Sequence, residues 1–465
     1  MTETITINPL TRVEGTGRVK IEVEDGAIKD LQFSVAVSPR FFEYLLVNKQ
    51  AEDAPRISER ICGICYVNHH LAAVKAVEDA WGVQVPEVAT LLRRTLNAAS
   101  FITSHALHLV FLALPDLIPI ENRNVIGVAE ANPALAETTF RLHEYGNRVV
   151  TEIGGRPVHV VTSVPGGQTK GLTGEARYKL LREGRVALTN VRKIADAFFG
   201  IYEKRVDDST EYMAPNTPYM GLITKKGEYE LYDGDIRVRN SKGENLMLFP
   251  AQDYFKYLEE TTSSHSFTKI PYLKNMGQTD GLMRVGPLPR INVIDKMQWG
   301  DAAEYLKAYD KFFRRPTNDT AAYNLARTVE LVASVDEVLD GLSRDLITSE
   351  RTREPVKARA GVGYAFIEAP RGLLHHSYEI DEKGIINQAN IVAPTTFNHK
   401  SIENNLRAYA IHHAEAFAKK DTRENALWGI EKIVRAYDPC LSCSVHMVDV
   451  DLNVDGERYS NRREA

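Results

Sequence analysis

The strongest constraint on this 465-residue chain is the placement of its four cysteines. They form two C-x-x-C pairs, Cys62 with Cys65 and Cys440 with Cys443, and 375 positions separate the two inner cysteines. Four thiolates in two such turns suit a soft or borderline transition metal, because each turn presents two sulfurs on one side of the backbone. If one site uses both pairs, the two ends of the chain must meet inside one compact body.

Composition and the N-terminal sequence narrow the class of protein. The sequence MTETITINPLTRVEG lacks the features of a secretory signal, so we expect a cytoplasmic protein, where structural disulfides are disfavoured. The most apolar run, residues 106–114, is far shorter than the roughly 20 residues that cross a membrane, and it predicts a buried core helix. The net charge of −5 gives no electrostatic case for a nucleic-acid or anionic-membrane partner.

Hydrophobic periodicity predicts an α+β fold. Alternating residues from Val19 to Val37 around Asp25-Gly26 predict a hairpin, and residues 227–249 and 361–394 predict further hairpins. Apolar residues at three- and four-residue spacing predict helices over 69–81, 88–114 (stopped by Pro115), 175–204, 298–313, 324–342 and 402–419. Because no linker divides the chain, we expect a single large domain with a core bundle of long helices and peripheral β-hairpins and small sheets.

The cysteine spacings alone suit a structural tetrahedral zinc site as well as a catalytic metal site. Two features weigh against structural zinc. Such sites organise small local modules, whereas these pairs bracket nearly the whole chain. Charged and polar residues also surround both pairs, which a closed structural site does not require: Glu59, Arg60 and His69 near the first, Asp438 and His446 near the second.

The stretches RICGICYVNH and DPCLSCSVH resemble the two signatures of nickel–iron hydrogenase large subunits, R-x-C-G-x-C-x-x-x-H and D-P-C-x-x-C-x-x-H, and match both in full. The resemblance continues in the family's order through LTRVEGTGRV, PRFFEYLL, SHALHLVFLALPD, MRVGPLPRINV, EAPRGLLHH and IVAPTTFN. It implies that Cys62 and Cys440 are terminal nickel ligands, while Cys65 and Cys443 bridge nickel to iron. It further implies one CO and two cyanide ligands on the iron, and heterolytic cleavage of dihydrogen, with hydride going between the metals and the proton to a nearby base.

The same resemblance assigns residues around the open metal position. Arg371, in EAPRG, is implied to lie over this position, although a buried salt bridge is the alternative interpretation. Asp116 and Asp438 match the acidic residues that hold this arginine. The pocket around the diatomic ligands is implied to contain Pro370, Leu374 and Thr395, with Thr395 donating a hydrogen bond to cyanide.

Two further side chains are expected next to the sulfurs. Glu14, in RVEG, matches a buried carboxylate beside a terminal cysteine, here Cys440, that relays the proton outward; the alternative is a surface glutamate at a strand end. His69 follows Cys65 by four positions, so on one helix it would face the bridging sulfur and hydrogen-bond to it. The alternative for His69 is a satisfied core histidine.

A second metal and a removable tail are also implied. Glu43, His446 and the backbone carbonyl of Ile391 match a site that holds magnesium in most family members and iron in some. In many relatives an endopeptidase cuts after the last motif histidine, once nickel-insertion factors have acted. The resemblance therefore implies a domain of residues 1–446 and a possible extension of residues 447–465.

The two electrons released by cleavage of dihydrogen must leave through another polypeptide. All four cysteines are assigned, so none remains for an iron–sulfur relay, and no nucleotide-binding glycine motif is present. The family supplies an iron–sulfur small subunit, often with flavin- and nucleotide-binding subunits, and the sequence looks closest to cytoplasmic members linked to NAD(P), a deazaflavin or a heterodisulfide partner. Two rival interpretations are the homologous quinone-site subunit of respiratory complex I, which has lost the cysteine pairs, and a zinc-stabilised structural protein.

Overall fold

Long helices pack against one another at the centre of the fold. The computed structural model describes residues 2–204, 212 and 214–445, and the backbone of two short strands near the C-terminus. Helices α4, α6, α7 and α12 pack side by side and form the predicted bundle. The helices in the described part of the chain are α1 (Phe42–Leu46), α2 (Ala54–Ser58), α3 (Tyr66–Trp81), α4 (Glu87–Leu107), α5 (Val125–Ala131), α6 (Pro133–Gly154), α7 (Gly174–Glu203), α8 (Tyr254–Tyr257), α9 (Gly277–Asp280), α10 (Pro287–Val293), α11 (Gly300–Phe312), α12 (Ala322–Ser343), α13 (Pro394–His412), α14 (Ala414–Ala418) and α15 (Lys420–Tyr437).

Small antiparallel sheets pack against these helices. Three-stranded sheets have the orders β1-β2-β3, β6-β7-β8 and β11-β12-β13, and the remaining strands pair in twos. The α+β class, with a helical core and hairpins at its edges, is confirmed. The described strands are β1 (Thr2–Ile7), β2 (Gly17–Glu24), β3 (Ala27–Val35), β4 (Ser163–Val164), β5 (Gly167–Gln168), β6 (Tyr219–Ile223), β7 (Asp235–Arg239), β8 (Asn245–Phe249), β9 (Leu258–Ser263), β10 (Ser266–Leu273), β11 (Gly361–Ala369), β12 (Gly372–Ile380), β13 (Ile386–Val392), β14 (Asp451–Val454) and β15 (Glu457–Ser460).

The most apolar helix lies inside the protein, as predicted. After α4 the chain continues through a π-helical segment, His108–Ala113, into a 3₁₀ turn, Leu114–Asp116, that contains Pro115. Among the described residues, the stretch Glu87–Asp116 alone is long and apolar enough to span a membrane, but 89% of its most apolar window is buried within the protein. Such burial is typical of a core helix.

A two-residue turn places Arg371 at the tip of a buried hairpin. Strands β11 and β12 pair directly up to Ala369 and Gly372, so Pro370 and Arg371 form the whole turn. Gly372 has a φ of +135°, and a Cβ there would lie 2.7 Å from the backbone nitrogen of Gly286. Only glycine suits this conformation and this close approach, which explains the glycine of the EAPRG stretch.

The two ends of the chain meet, as the cysteine spacing requires. Glu14 and Cys440 form a parallel β-bridge, and the Leu441 N–H donates to the Glu14 carbonyl at 3.0 Å. Gly15 has a φ of +80°, and a Cβ at this position would lie 3.0 Å from Ser442 N. A side chain there would press on the second cysteine turn, so glycine allows the N-terminal segment to lie directly against it.

A fully buried ion cluster ties the helical core to the Arg371 hairpin. The Arg290 guanidinium donates to both oxygens of Glu330 on α12, at 2.6 and 2.7 Å, and to Glu368 on β11 at 2.7 Å. It also donates to the Pro370 carbonyl at 3.0 Å. Burial raises the pKa of Glu330, but Arg290 lowers it further, to about 2. The carboxylate therefore stays charged, and its removal leaves a buried cation with one partner fewer.

We expect Glu330→Gln to lower the free energy of unfolding by about 3 kcal/mol, because breaking one side of a buried ion pair leaves an uncompensated charge. Urea titration followed by circular dichroism measures this change. Asp340→Asn, which breaks an exposed pair with Arg344 just after α12, is the control and should cost about 0.5 kcal/mol or less. Equal losses in the two variants would contradict the structural role of the cluster.

Candidate metal centre

The four cysteine sulfurs converge on one buried point. Cys62 Sγ lies 3.5 Å from Cys440 Sγ, Cys65 Sγ lies 3.3 Å from Cys443 Sγ, and the two C-terminal sulfurs are 2.7 Å apart. All four sulfurs lie within 4.8 Å of one another, and every cysteine is buried. The structure thus brings the two remote pairs into one pocket and does not distribute them between separate sites.

Local backbone structure orients the cysteine side chains toward one another. Cys65 is the N-terminal cap residue of α3, and its N–H, like that of Ile64, points at Cys62 Sγ, at 3.4 and 3.3 Å. The second pair lies at a 3₁₀ turn, Leu441–Ser444. Arg40 links the two turns, since its Nη2 donates to the carbonyls of Ile61 and Ser442, both at 2.5 Å. Arg40 was not predicted as a site residue, although it belongs to the quoted stretch PRFFEYLL.

The donor set fits a pair of thiophilic metal ions. Burial raises the pKa of Cys440 and of Cys443 well above the usual range of a thiol. Hydrogen bonds from the other three cysteines lower the pKa of Cys62. Four thiolates cannot all stay ionised in one buried pocket without cations, so the cluster is suited to bind metal with loss of thiol protons.

Arg371 and Asp438 form a buried pair next to the sulfurs. The guanidinium Nη2 donates to Asp438 Oδ1 at 3.0 Å, and His108 Nδ1 lies 3.0 Å from the same oxygen. Burial lowers the pKa of Arg371, but Asp438 and the cysteine thiolates raise it above its ordinary value. Burial likewise raises the pKa of Asp438, and Arg371 and His108 lower it well below the usual range. Both partners therefore carry their charge.

Asp116 does not hold Arg371, and that prediction is wrong. Asp116 lies at the end of the α4 helical stretch and accepts from Arg12 Nη2 at 2.6 Å and from Arg435 Nε at 2.6 Å. Trp428 Nε1 donates to it at 2.9 Å. Burial raises the pKa of Asp116, and Arg435 and Arg12 lower it below the ordinary value. Its role is to fasten the segment before Glu14 to helix α15, which leads into the second cysteine pair.

The residues predicted to line the diatomic-ligand pocket are all buried. Pro370 is fixed through its carbonyl, which accepts from Arg290, and Leu374 lies on β12 directly after the Arg371 turn. Thr395 is the second residue of α13, and its Oγ1 accepts a hydrogen bond from the Cys440 N–H at 2.8 Å. Because the hydroxyl oxygen is the acceptor in this contact, its own proton remains for donation to another group.

Glu14 lies where the resemblance places it. The Cys440 thiol donates to Glu14 Oε2 at 2.9 Å, and the Ser442 N–H donates to the same oxygen at 3.1 Å. The side chain is half-buried, whereas a buried carboxylate was predicted. Glu14 therefore contacts the Cys440 sulfur and is also partly exposed to solvent. This contact distinguishes it from the alternative, a surface glutamate at a strand end.

His69 lies in the first turn of α3, fully buried. Its Nδ1 lies 3.1 Å from Nε2 of His376 on β12. Burial lowers the pKa of His69 to about 4, while the Cys62 thiolate acts in the opposite direction. The ring is therefore neutral at physiological pH. Its hydrogen bond to the bridging sulfur stays a prediction.

The predicted second metal site is described only in part. Glu43 is buried, and its Oε1 accepts from Lys269 at 2.9 Å and from the Ile391 N–H at 2.7 Å. Among the described residues, its Oε2 is buried without a hydrogen-bond partner, and burial raises the pKa of this carboxyl. An oxygen of this kind fits a hard cation. His446, and with it the predicted cleavage position before Met447, lies outside the described residues.

Comparisons with known proteins agree with this geometry. The family described as nickel-dependent hydrogenase matches residues 40–191 and 207–446, and a family described as HoxL-like matches residues 4–36. A polypeptide of the vhu F420-non-reducing hydrogenase of Methanocaldococcus jannaschii is 37% identical over 412 residues, which are 87% of this chain and 98% of that protein. The beta chain of the NAD-reducing hydrogenase HoxS of Cupriavidus necator is 31% identical over 468 residues, 96% of this chain and 95% of that protein.

Solved structures share the fold. A chain of an NAD+-reducing NiFe hydrogenase in the H2-reduced state superimposes with a TM-score of 0.90 at 30% identity, covering 96% of this chain and 99% of that chain. The NiFeSe hydrogenase from D. vulgaris Hildenborough in the reduced state has a TM-score of 0.76 at 22% identity, covering 96% and 100%, and shows the fold alone. The chain therefore belongs to the nickel-dependent hydrogenase family, as the catalytic large subunit of a NiFe hydrogenase.

Proposed function

We propose that this large subunit catalyses the reversible heterolytic cleavage of dihydrogen at a nickel–iron centre held by Cys62, Cys65, Cys440 and Cys443, with one CO and two cyanide ligands on the iron. The observation that carries the proposal is the convergence of four buried sulfurs within 4.8 Å. Such a centre, when bound, supplies Lewis-acidic metals that polarise the substrate. Nickel would be held by all four cysteines, and iron by Cys65 and Cys443.

The chain's own residues move the proton. Cys440 Sγ holds the proton released from dihydrogen and passes it to Glu14 Oε2, since these atoms are 2.9 Å apart. The Ser442 N–H and the β-bridge between Glu14 and Cys440 keep the carboxylate at this distance. Because Glu14 is half-buried, it can release the proton toward solvent without a large movement.

Arg371 orients and polarises whatever enters the open position. Its Nε and Nη1 are buried and have no hydrogen-bond partner among the described residues, whereas Nη2 is held by Asp438. Two free donors on a fixed guanidinium suit recognition of substrate or cyanide. Thr395 supplies a further hydroxyl donor to cyanide, and Pro370 and Leu374 keep water out of the pocket.

The electrons pass to a partner polypeptide. Ile64 lies between the cysteines of the first pair and is 41% exposed, and Phe41 and Tyr44, beside the Arg40 link, are 41% and 73% exposed. Apolar side chains so close to the sulfurs suit a covered interface. At this face we propose an iron–sulfur small subunit, with flavin- and nucleotide-binding subunits beyond it, in a cytoplasmic complex. The two relatives above are themselves named as components of F420-non-reducing and NAD-reducing hydrogenases.

Two further proposals concern the second metal and the tail. Glu43 Oε2, the Ile391 carbonyl and His446 bind magnesium, or iron in its place. The hydrogenase domain ends at residue 446, where the family match also ends. Residues 447–465 are then an extension that a maturation endopeptidase removes after nickel insertion.

Elemental analysis and infrared spectroscopy test the metal centre. Matured protein should contain nickel and iron and show bands of metal-bound CO and cyanide. Cys440→Ser should lose nearly all nickel, because a hydroxyl is a poor substitute for a soft thiolate. Ser444→Ala, in the same turn, should keep it. Stoichiometric zinc alone in the matured protein, or full nickel in Cys440→Ser, would overturn the assignment.

Glu14→Gln should retain its metals but exchange deuterium between dihydrogen and water at least about 100-fold more slowly, because the amide cannot relay the proton. Isotope exchange followed by membrane-inlet mass spectrometry measures this rate. Glu52→Gln, an exposed glutamate away from the sulfurs, is the matched control. An unchanged exchange rate in Glu14→Gln would reject the relay.

Arg371→Lys should keep nickel and iron but lower kcat by about 100- to 1,000-fold, because the ammonium cannot reproduce the two fixed donors of the guanidinium. Dihydrogen oxidation with an artificial electron acceptor measures kcat and KM separately. Full activity in this variant would mean that Arg371 serves only as the partner of Asp438.

A further inference from the structure

We propose that Tyr378 and His376 are positioning residues that fix the tautomer of His69, so that His69 presents Nε2–H on the side of the ring opposite His376. The three side chains form a relay that begins at β12 and ends at the first turn of α3. In this relay Tyr378 contacts His376 and His376 contacts His69, so both act through His69.

The geometry of the relay follows from the packing of one helix on one strand. His376 and Tyr378 are two residues apart on β12, so both side chains leave the same face of the strand. Helix α3 packs against this strand and places His69 over His376. His69 Nδ1 lies 3.1 Å from His376 Nε2, and His376 Nδ1 lies 2.6 Å from the Tyr378 oxygen. All three residues are fully buried.

The proton positions follow from the chemistry at the tyrosine end. Burial raises the pKa of Tyr378, so its hydroxyl keeps its proton. A phenol is a good donor, so Tyr378 donates to His376 Nδ1. In a neutral imidazole only one nitrogen carries hydrogen. His376 therefore donates through Nε2–H to His69 Nδ1, and the hydrogen of His69 must lie on Nε2.

The metal end favours the same direction. His69 lies one helical turn after Cys65, and its backbone N–H donates to the Cys65 carbonyl at 3.2 Å. An Nε2–H group on the ring can donate to a metal-bound thiolate, whereas a nitrogen lone pair cannot. Donors to metal-bound thiolates shift their potential and basicity. That catalytic consequence rests on the proposed function, but the tautomer itself does not.

Nuclear magnetic resonance of the full-length chain with 15N-labelled histidine tests the relay. Long-range 1H–15N correlations report which ring nitrogen carries hydrogen, and His69→Gln identifies the His69 signals by their loss. We expect the Nε2–H tautomer for both His69 and His376. Hydrogen on Nδ1 of His69 in the otherwise unchanged chain would overturn the proposal, whether or not metals are bound.

Variants separate positioning from simple packing. Tyr378→Phe should shift His376 and His69 to a mixture of tautomers, whereas Tyr364→Phe, on the neighbouring strand β11, should leave both unchanged. His376→Gln, whose amide can still donate at the Nε2 position, should preserve the His69 tautomer, and the shorter His376→Asn should lose it. Unchanged His69 signals in Tyr378→Phe and His376→Asn would refute the relay, and the His376 pair decides the question if Tyr378→Phe does not fold.

Infrared spectra of the holoenzyme separate this inference from the proposed function. Tyr378→Phe should shift the CO band, and Tyr364→Phe should not. Absence of CO and cyanide bands in the unchanged enzyme would overturn the nickel–iron assignment but would not affect the tautomer result. Bands that do not move when the His69 tautomer does would refute the link from the relay to the metals.

Discussion

The fold depends on one contact between distant parts of the chain: the pairing of the segment around Glu14 with the turn that carries Cys440. Three contacts hold this arrangement in place. Glu14 forms a β-bridge with Cys440, Gly15 lies against Ser442, and Arg40 donates to the carbonyls of Ile61 and Ser442. Without this contact each C-x-x-C turn would offer only two ligands. The helical core then serves as a frame that brings the first and last parts of the chain together.

Buried charge is the second organising feature. Arg371 with Asp438 and Arg290 with Glu330 and Glu368 are ion pairs removed from water, where burial alone would disfavour every member. Each guanidinium offsets a carboxylate, and Arg290 also binds the carbonyl of Pro370, next to Arg371 in the chain. Apolar packing of the same volume could be as stable. The polar arrangement instead gives a fixed donor next to the buried sulfurs.

Several elements whose residues repeat regularly are predicted from the sequence, whereas the start of α13 and the whole of α6 are missed, for different reasons. The β2–β3 hairpin and helices α7, α11 and α12 lie close to their predicted positions. Helix α13 begins at Pro394, eight residues before the predicted start, because its first turns bury Thr395, Asn398 and His399 and show no apolar period. Helix α6 was not predicted, although Asn132 followed by Pro133 is a start signal, and the Asn132 side chain caps it.

The residues of the site also differ in how well the sequence predicts them. The cysteines and Glu14 follow from motifs because chemistry restricts those positions to a few residue types. The resemblance assigned Asp116 to Arg371, but an acidic residue after a core helix carries no local information on which of several arginines it contacts. Arg12 and Arg435 reach it instead. The relay through His376 and Tyr378 depends on how α3 crosses β12, which no local pattern encodes.

The distance between the cysteine pairs has a consequence for how the protein is made. At about 5 to 20 residues per second, synthesis reaches Cys440 roughly 20 to 75 s after Cys62. During that interval the first two thiols exist without the other half of their pocket. A complete metal site therefore cannot assemble before the second cysteine pair has also left the ribosome, so loading of the ions has to wait for Cys440 and Cys443.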